Sequence, residues 1–185
     1  MNNIFKINII NQRFLNDNLD DVCSHGEIFL LVGNVIISDS NDGEWNINES
    51  ALSLMRSVKY GFPTEQSPPQ YYPTGFPEDV LINHCGVYMM FCPTTITWKV
   101  RKQDEFVILS GFVKNEQIKY DSLIIRIPFR EYASQIYQFA IEAKLFFSVK
   151  EIKYKDWELE EGMYERFWEE FNELIKYLEE EVGIA

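Results

Sequence analysis

Between Trp157 and Leu178 the residues Trp157, Met163, Tyr164, Phe167, Trp168, Phe171, Leu174, Ile175 and Leu178 recur at spacings of three and four. That spacing gathers side chains onto one face of an α-helix. A face so rich in aromatics has to be covered, so the rest of the chain must supply a surface to cover it. The positions between are acidic. From Asp156 to Glu181 eleven carboxylates (Asp156, Glu158, Glu160, Glu161, Glu165, Glu169, Glu170, Glu173, Glu179, Glu180, Glu181) stand against Arg166 and Lys176 alone, a local charge of −9 in a chain of net charge −12. Like charges three and four residues apart weaken an isolated helix, which must then take its stability from docking. A helix over 156–181 is predicted, with a buried aromatic face and a solvated carboxylate face.

The remaining sequence has the means to provide that cover. At 185 residues, 46% of them hydrophobic, with 14 Phe, 10 Tyr and 4 Trp, it is the size of one ordinary domain with a substantial core. The N-terminal residues lack a basic leader followed by a continuous apolar stretch and small-residue cleavage site, so no signal peptide is expected. The strongly apolar stretch from Ile28 to Ile37 is about half the length needed to span a bilayer as a helix. A soluble protein without a membrane partner is expected. Three cysteines, Cys23, Cys85 and Cys92, cannot all pair within one chain and read as reduced thiols, which places the protein in the cytoplasm. With 17 Lys and Arg against 29 acids the chain is not built as a general nucleic-acid binder. The densest cationic stretch is Lys99 to Lys102, on what reads as one strand end.

Alternation in Ile4 to Ile9 predicts a first strand, and Glu27 to Ile37 a longer one. Ser38 to Gly43 is a turn by composition. Asn48 is placed to cap a helix carrying Ala51, Leu52, Met55 and Val58, with Gly61 as its stop. A Pro/Tyr-rich loop at about 62–79 holds five of the seven prolines together with Tyr71, Tyr72 and Phe76, and is a candidate binding edge. Val80 to Phe91 reads as one or two strands. Ile96 to Val100, Phe106 to Val113 and Leu123 to Ile127 make a three-strand antiparallel meander. Pro128 closes it and opens a helix whose buried face is Tyr132, Ala133, Ile136, Phe139, Ala140 and Ala143.

No residue set specifies a reaction. Cys85 and Cys92 match no zinc knuckle spacing, and His84 and Cys85 point to opposite faces of a strand. Cys23 with His25, or Cys85 with His25, would need the pair brought within hydrogen-bond reach. Ser38, Ser40, Asp42, Gly43 and Glu49 imitate a calcium loop, but Ser stands where the first Asp belongs and a strand precedes it. There is no phosphate-cradling glycine loop, no Gly-x-Ser-x-Gly and no His-Glu-x-x-His. No catalytic residue, metal or cofactor is assigned.

The run Asp42-Gly43-Glu44-Trp45-Asn46-Ile47, followed by Asn48 to Val58 with its Ala51-Leu52-Ser53-Leu54, resembles a pattern in small bacterial immunity-type proteins of polymorphic toxin systems. His84-Cys85-Gly86, Cys92-Pro93 and Trp98-x-Val100 are similar to the same group. The resemblance implies a cytoplasmic protein that binds and blocks a toxin domain, and it carries no functional residue with it. Electrostatics points the same way, because a carboxylate surface attracts basic proteins and repels nucleic acid. The expectation is a single α+β domain over 1–185: a mainly antiparallel sheet of about six strands, one early helix and two C-terminal helices packed on it. The expected partner-binding residues are Glu161, Glu165, Glu169, Glu173, Tyr71, Tyr72 and Phe76, for a cognate toxin or other basic protein. The alternatives are a small cytoplasmic enzyme with a cleft containing Cys85, His84 or His25, and a housekeeping module that docks a basic partner on the acidic helix.

Overall fold

The computed structural model describes residues 4–14, 23–64, 80–84, 94–148 and 162–183. Tyr71, Tyr72, Phe76, Cys85, Cys92, Glu161 and the stretch 156–160 lie outside them. Ten strand segments and three helices are described, and the fold is α+β. The expected single sheet of six strands is not what forms. β1 (Phe5–Ile9), β3 (Ile28–Val32) and β4 (Val35–Ser38) make one antiparallel sheet in the order β1-β3-β4. A second has the order β10-β8-β7-β6, built from β6 (Ile82–Asn83), β7 (Thr95–Gln103), β8 (Phe106–Lys114) and β10 (Ile125–Pro128), with β9 (Ile118–Tyr120) also paired to β8. The third is the short pair of β2 (His25–Gly26) and β5 (Trp45–Asn46).

Local chemistry accounts for the difference. The apolar run from Glu27 to Ile37 is not one strand, because the turn at Gly33 and Asn34 folds it into the β3–β4 hairpin, with a register shift at Leu30/Leu31. The expected meander is present, and β9 is its addition along the far half of β8. Phe62, at the start of the proline-rich stretch, exchanges both backbone hydrogen bonds with Val100 and pins that end to β7.

Helix α1 (Ile47–Tyr60) has its cap two residues before the expected one. Asn46 rather than Asn48 caps it, accepting from the Glu49 amide at 3.2 Å. Its stop at Gly61 is as expected, the Gly61 amide bonding to the Ser57 carbonyl. Helix α2 (Phe129–Ser148) begins directly after Pro128 and buries all six predicted face residues. Helix α3 (Met163–Val182) is described from its N-cap Gly162, which takes a left-handed conformation at φ 76; the predicted helical residues 156–161 lie outside the described residues.

Helix α2 occupies the centre. It packs against α1, α3, β1, β8 and β10. Phe5, Tyr132 and Trp98 meet at this junction, with Phe5 5.1 Å from the Tyr132 ring and 5.9 Å from Trp98. One continuous apolar cluster joins both larger sheets and all three helices. Tyr132 is fully enclosed, so burial pushes its phenol far above the ordinary value, while Ser57 Oγ bonds the hydroxyl at 2.9 Å.

Candidate functional site

The periodicity of α3 divides its residues as expected. Met163, Phe167, Phe171, Leu174, Ile175 and Leu178 are buried. Trp168, close in sequence to the carboxylates, belongs to the packing: its ring centroid lies 4.9 Å from Phe147, 5.1 Å from Phe167 and 5.0 Å from Phe171. Tyr164 packs beside it at 6.2 Å. Both rings are half-buried and packed against the core.

The carboxylates of α3 divide a second time, and sequence alone did not show this. Glu170 is tied to Arg56 of α1 through two charge-assisted bonds, Nε to Oε1 at 2.8 Å and Nη2 to Oε2 at 2.6 Å. Glu179 accepts from the Tyr137 hydroxyl at 3.3 Å. Burial and the Glu179 charge together hold the Tyr137 phenol above its ordinary value. Burial, followed by Glu181, pushes Tyr177 up to about 12. At the far end the Arg130 guanidinium lies where a side chain on Gly183, the C-cap of α3, would project, and a cation at a helix C-terminus offsets the helix dipole. The carboxylates left over are Glu165, Glu169, Glu173 and Glu180, all exposed and in no ion pair among the described residues. Glu165, Glu169 and Glu173 are four residues apart, so they form a row with steps of about 6 Å along the axis. Three of the seven expected contact residues thus stand together on one open face.

A buried polar cluster surrounds the start of α1. The Asn48 side-chain oxygen accepts from the Ser24 amide at 2.8 Å and from its hydroxyl at 3.3 Å, and Gln12 Nε2 donates to Ser24 Oγ at 2.8 Å. Glu49 is 4% exposed and accepts from the Cys23 thiol at 3.7 Å. Burial, only partly offset by that thiol, raises its carboxyl well above the ordinary 4.5. Its other oxygen has no partner among the described residues. Glu49 stands three residues after the Asn46 cap, the spacing of a capping box, and that was the signal available for it. Cys23 is therefore set against a carboxyl group, which offers no positive charge to hold a thiolate. His25 is fixed by backbone pairing to Arg13 and Asn46.

The turn that imitates a calcium loop is organised by a lysine. The Lys114 ammonium bonds to the Ile37 carbonyl at 2.8 Å and ion-pairs with Asp42, while Ser38 Oγ accepts from Trp45 Nε1 at 3.1 Å. Glu49, the last member of that pattern, points to Cys23 instead. Among the described residues no group of three or more His, Cys, Asp or Glu is placed to hold a metal ion, and no helix is long and apolar enough to cross a membrane. No protein-family model matches the chain, and comparison with curated proteins and with solved structures found no significant match.

Proposed function

We propose that this protein is a non-enzymatic binding module that neutralises a basic partner protein, a toxin made by the same cell. The observation that carries the reading is the row Glu165, Glu169 and Glu173, exposed on a helix whose opposite face is locked into the core. A rigid row of unpaired carboxylates steers a basic partner and repels a polyanion. Such a row suits a basic nuclease, whose site accepts phosphates where the inhibitor presents carboxylates. The alternative enzyme reading turns on Cys85, which lies outside the described residues.

Co-expression with the product of the neighbouring reading frame tests this directly. The two proteins should co-purify, and cells should survive a toxin that kills without this chain; absence of both binding and rescue removes the reading. Glu165→Lys, Glu169→Lys and Glu173→Lys together should slow association and flatten its dependence on salt. An unchanged salt slope would assign the row to solvation alone.

A further inference from the structure

The outer face of the β7–β8–β10 sheet is as one-sided as α3, with the opposite sign. Arg101 and Arg126 are both registered opposite Ile108, one from each flanking strand, and Lys99 is registered opposite Ser110. Lys119 of β9 lies opposite Val113. All four cations are exposed, and none is in an ion pair among the described residues. The neighbouring carboxylates in the chain, Asp104, Glu105, Glu116 and Asp121, are on the turns that end these strands and not on the face. In a chain with 29 acids and 17 Lys and Arg, a face with four exposed cations and, among the described residues, no carboxylate is a built feature.

The residues between the cations indicate what this face suits. Ile108 and Val113 are aliphatic, and the Phe106 ring is occupied by the Arg126 guanidinium 3.4 Å from its centroid. Among the described residues no aromatic platform on this face remains for bases to stack on, so a single-stranded nucleic acid gains little there. Arginine is among the residues enriched at protein interfaces. The chain itself supplies the complementary surface. Lys99 and Arg101 are two residues apart on β7, about 6.8 Å, close to the step of about 6 Å between the exposed carboxylates of α3.

We infer that the basic sheet face of one molecule binds the α3 carboxylate row of a second copy of this chain, a head-to-tail contact. Two molecules of net charge −12 repel at long range, but at physiological salt the screening length of about 8 Å leaves the facing patches to decide. The contact uses the row assigned to the toxin but needs no toxin, so its outcome is separate from that of the rescue test.

Sedimentation velocity at about 1 mM protein detects even millimolar affinity. Wild type should self-associate, while Lys99→Glu with Arg101→Glu, or Glu169→Lys with Glu173→Lys, should each weaken association at least about tenfold. Mixing the two charge-reversed variants should restore association, since the intact α3 row of one meets the intact sheet face of the other and the new acids of one meet the new lysines of the other. That restoration also shows both variants to be folded. A monomeric wild type overturns the inference, as do variants that associate like wild type. Salt-dependent binding of a single-stranded oligonucleotide, lost in Arg101→Glu and without self-association, overturns it in favour of a nucleic-acid face.

Discussion

Removing Glu170 should cost far more than removing its neighbour Glu169, although both are acids on the same helix. The Glu170 and Arg56 side chains retain 18% and 12% exposure and are joined by two charge-assisted hydrogen bonds. Net hydrogen bonds to charged groups are worth about 1.5–3 kcal/mol, and breaking a fully buried ion pair from one side costs about 3–5 kcal/mol. This pair lies between those cases, so Glu170→Ala should destabilise by about 2–3 kcal/mol and lower Tm by roughly 4–12 °C for a chain of this length. Arg56→Ala adds the loss of its aliphatic stem. The double variant no longer strands a charge, so its loss should fall short of the sum, leaving a coupling energy of about 1.5–3 kcal/mol. Glu169→Ala should change stability by no more than about 0.5 kcal/mol. Urea unfolding followed by tryptophan fluorescence measures all four proteins, with m unchanged if only the native contact is altered. A coupling below about 0.5 kcal/mol, or equal losses for Glu169→Ala and Glu170→Ala, would refute the division of α3 into structural and free acids.

Burial holds the Glu49 carboxyl above its ordinary 4.5, so the folded state binds that proton more tightly than the unfolded chain. The stability it lends is complete below about pH 4.5 and is lost as pH rises through the raised value. Urea midpoints across about pH 4–9 should therefore fall less steeply for Glu49→Gln than for wild type; parallel profiles would show that Glu49 does not titrate between the two states. Gly26→Ala should cost about 3 kcal/mol or more, because its Cβ would collide with the Asn11 carbonyl, a backbone atom that cannot swing away. A variant that melts with wild type would contradict that packing. Lys114→Met should cost about 2–3 kcal/mol by stranding Asp42 and the Ile37 carbonyl. Adding Asp42→Asn should recover part of the loss, and no recovery would show that the two do not act as a pair.

The helices were legible in sequence because their information is local. Pro128 marked the start of α2, Tyr132 to Ala143 marked its buried face, and Phe167 to Leu178 marked that of α3. The sheets were less so. A two-residue pair such as β2 with β5 exists through partners about twenty residues apart and has no periodicity of its own, and Gly33 and Asn34 interrupt the Glu27–Ile37 run visibly, but alternation alone does not show that they fold it into two strands. The charge row on α3 was legible in outline. That Glu170 does not belong to it was not, since Arg56 lies 114 residues away. Glu49 carried a capping signal, but its burial against Cys23 depends on a segment brought in by tertiary structure.

The central place of α2 has a consequence for synthesis on the ribosome. The β1–β3–β4 sheet is complete once Ser38 has emerged, yet the helix that covers β1 ends only at Ser148. At about 5–20 residues per second, the apolar side of Phe5, Ile7, Leu30 and Val32 waits roughly 5–20 s for its cover. Over that interval the nascent chain presents an apolar surface that chaperones can hold, and slower translation between β4 and α2 should lower the yield of folded protein.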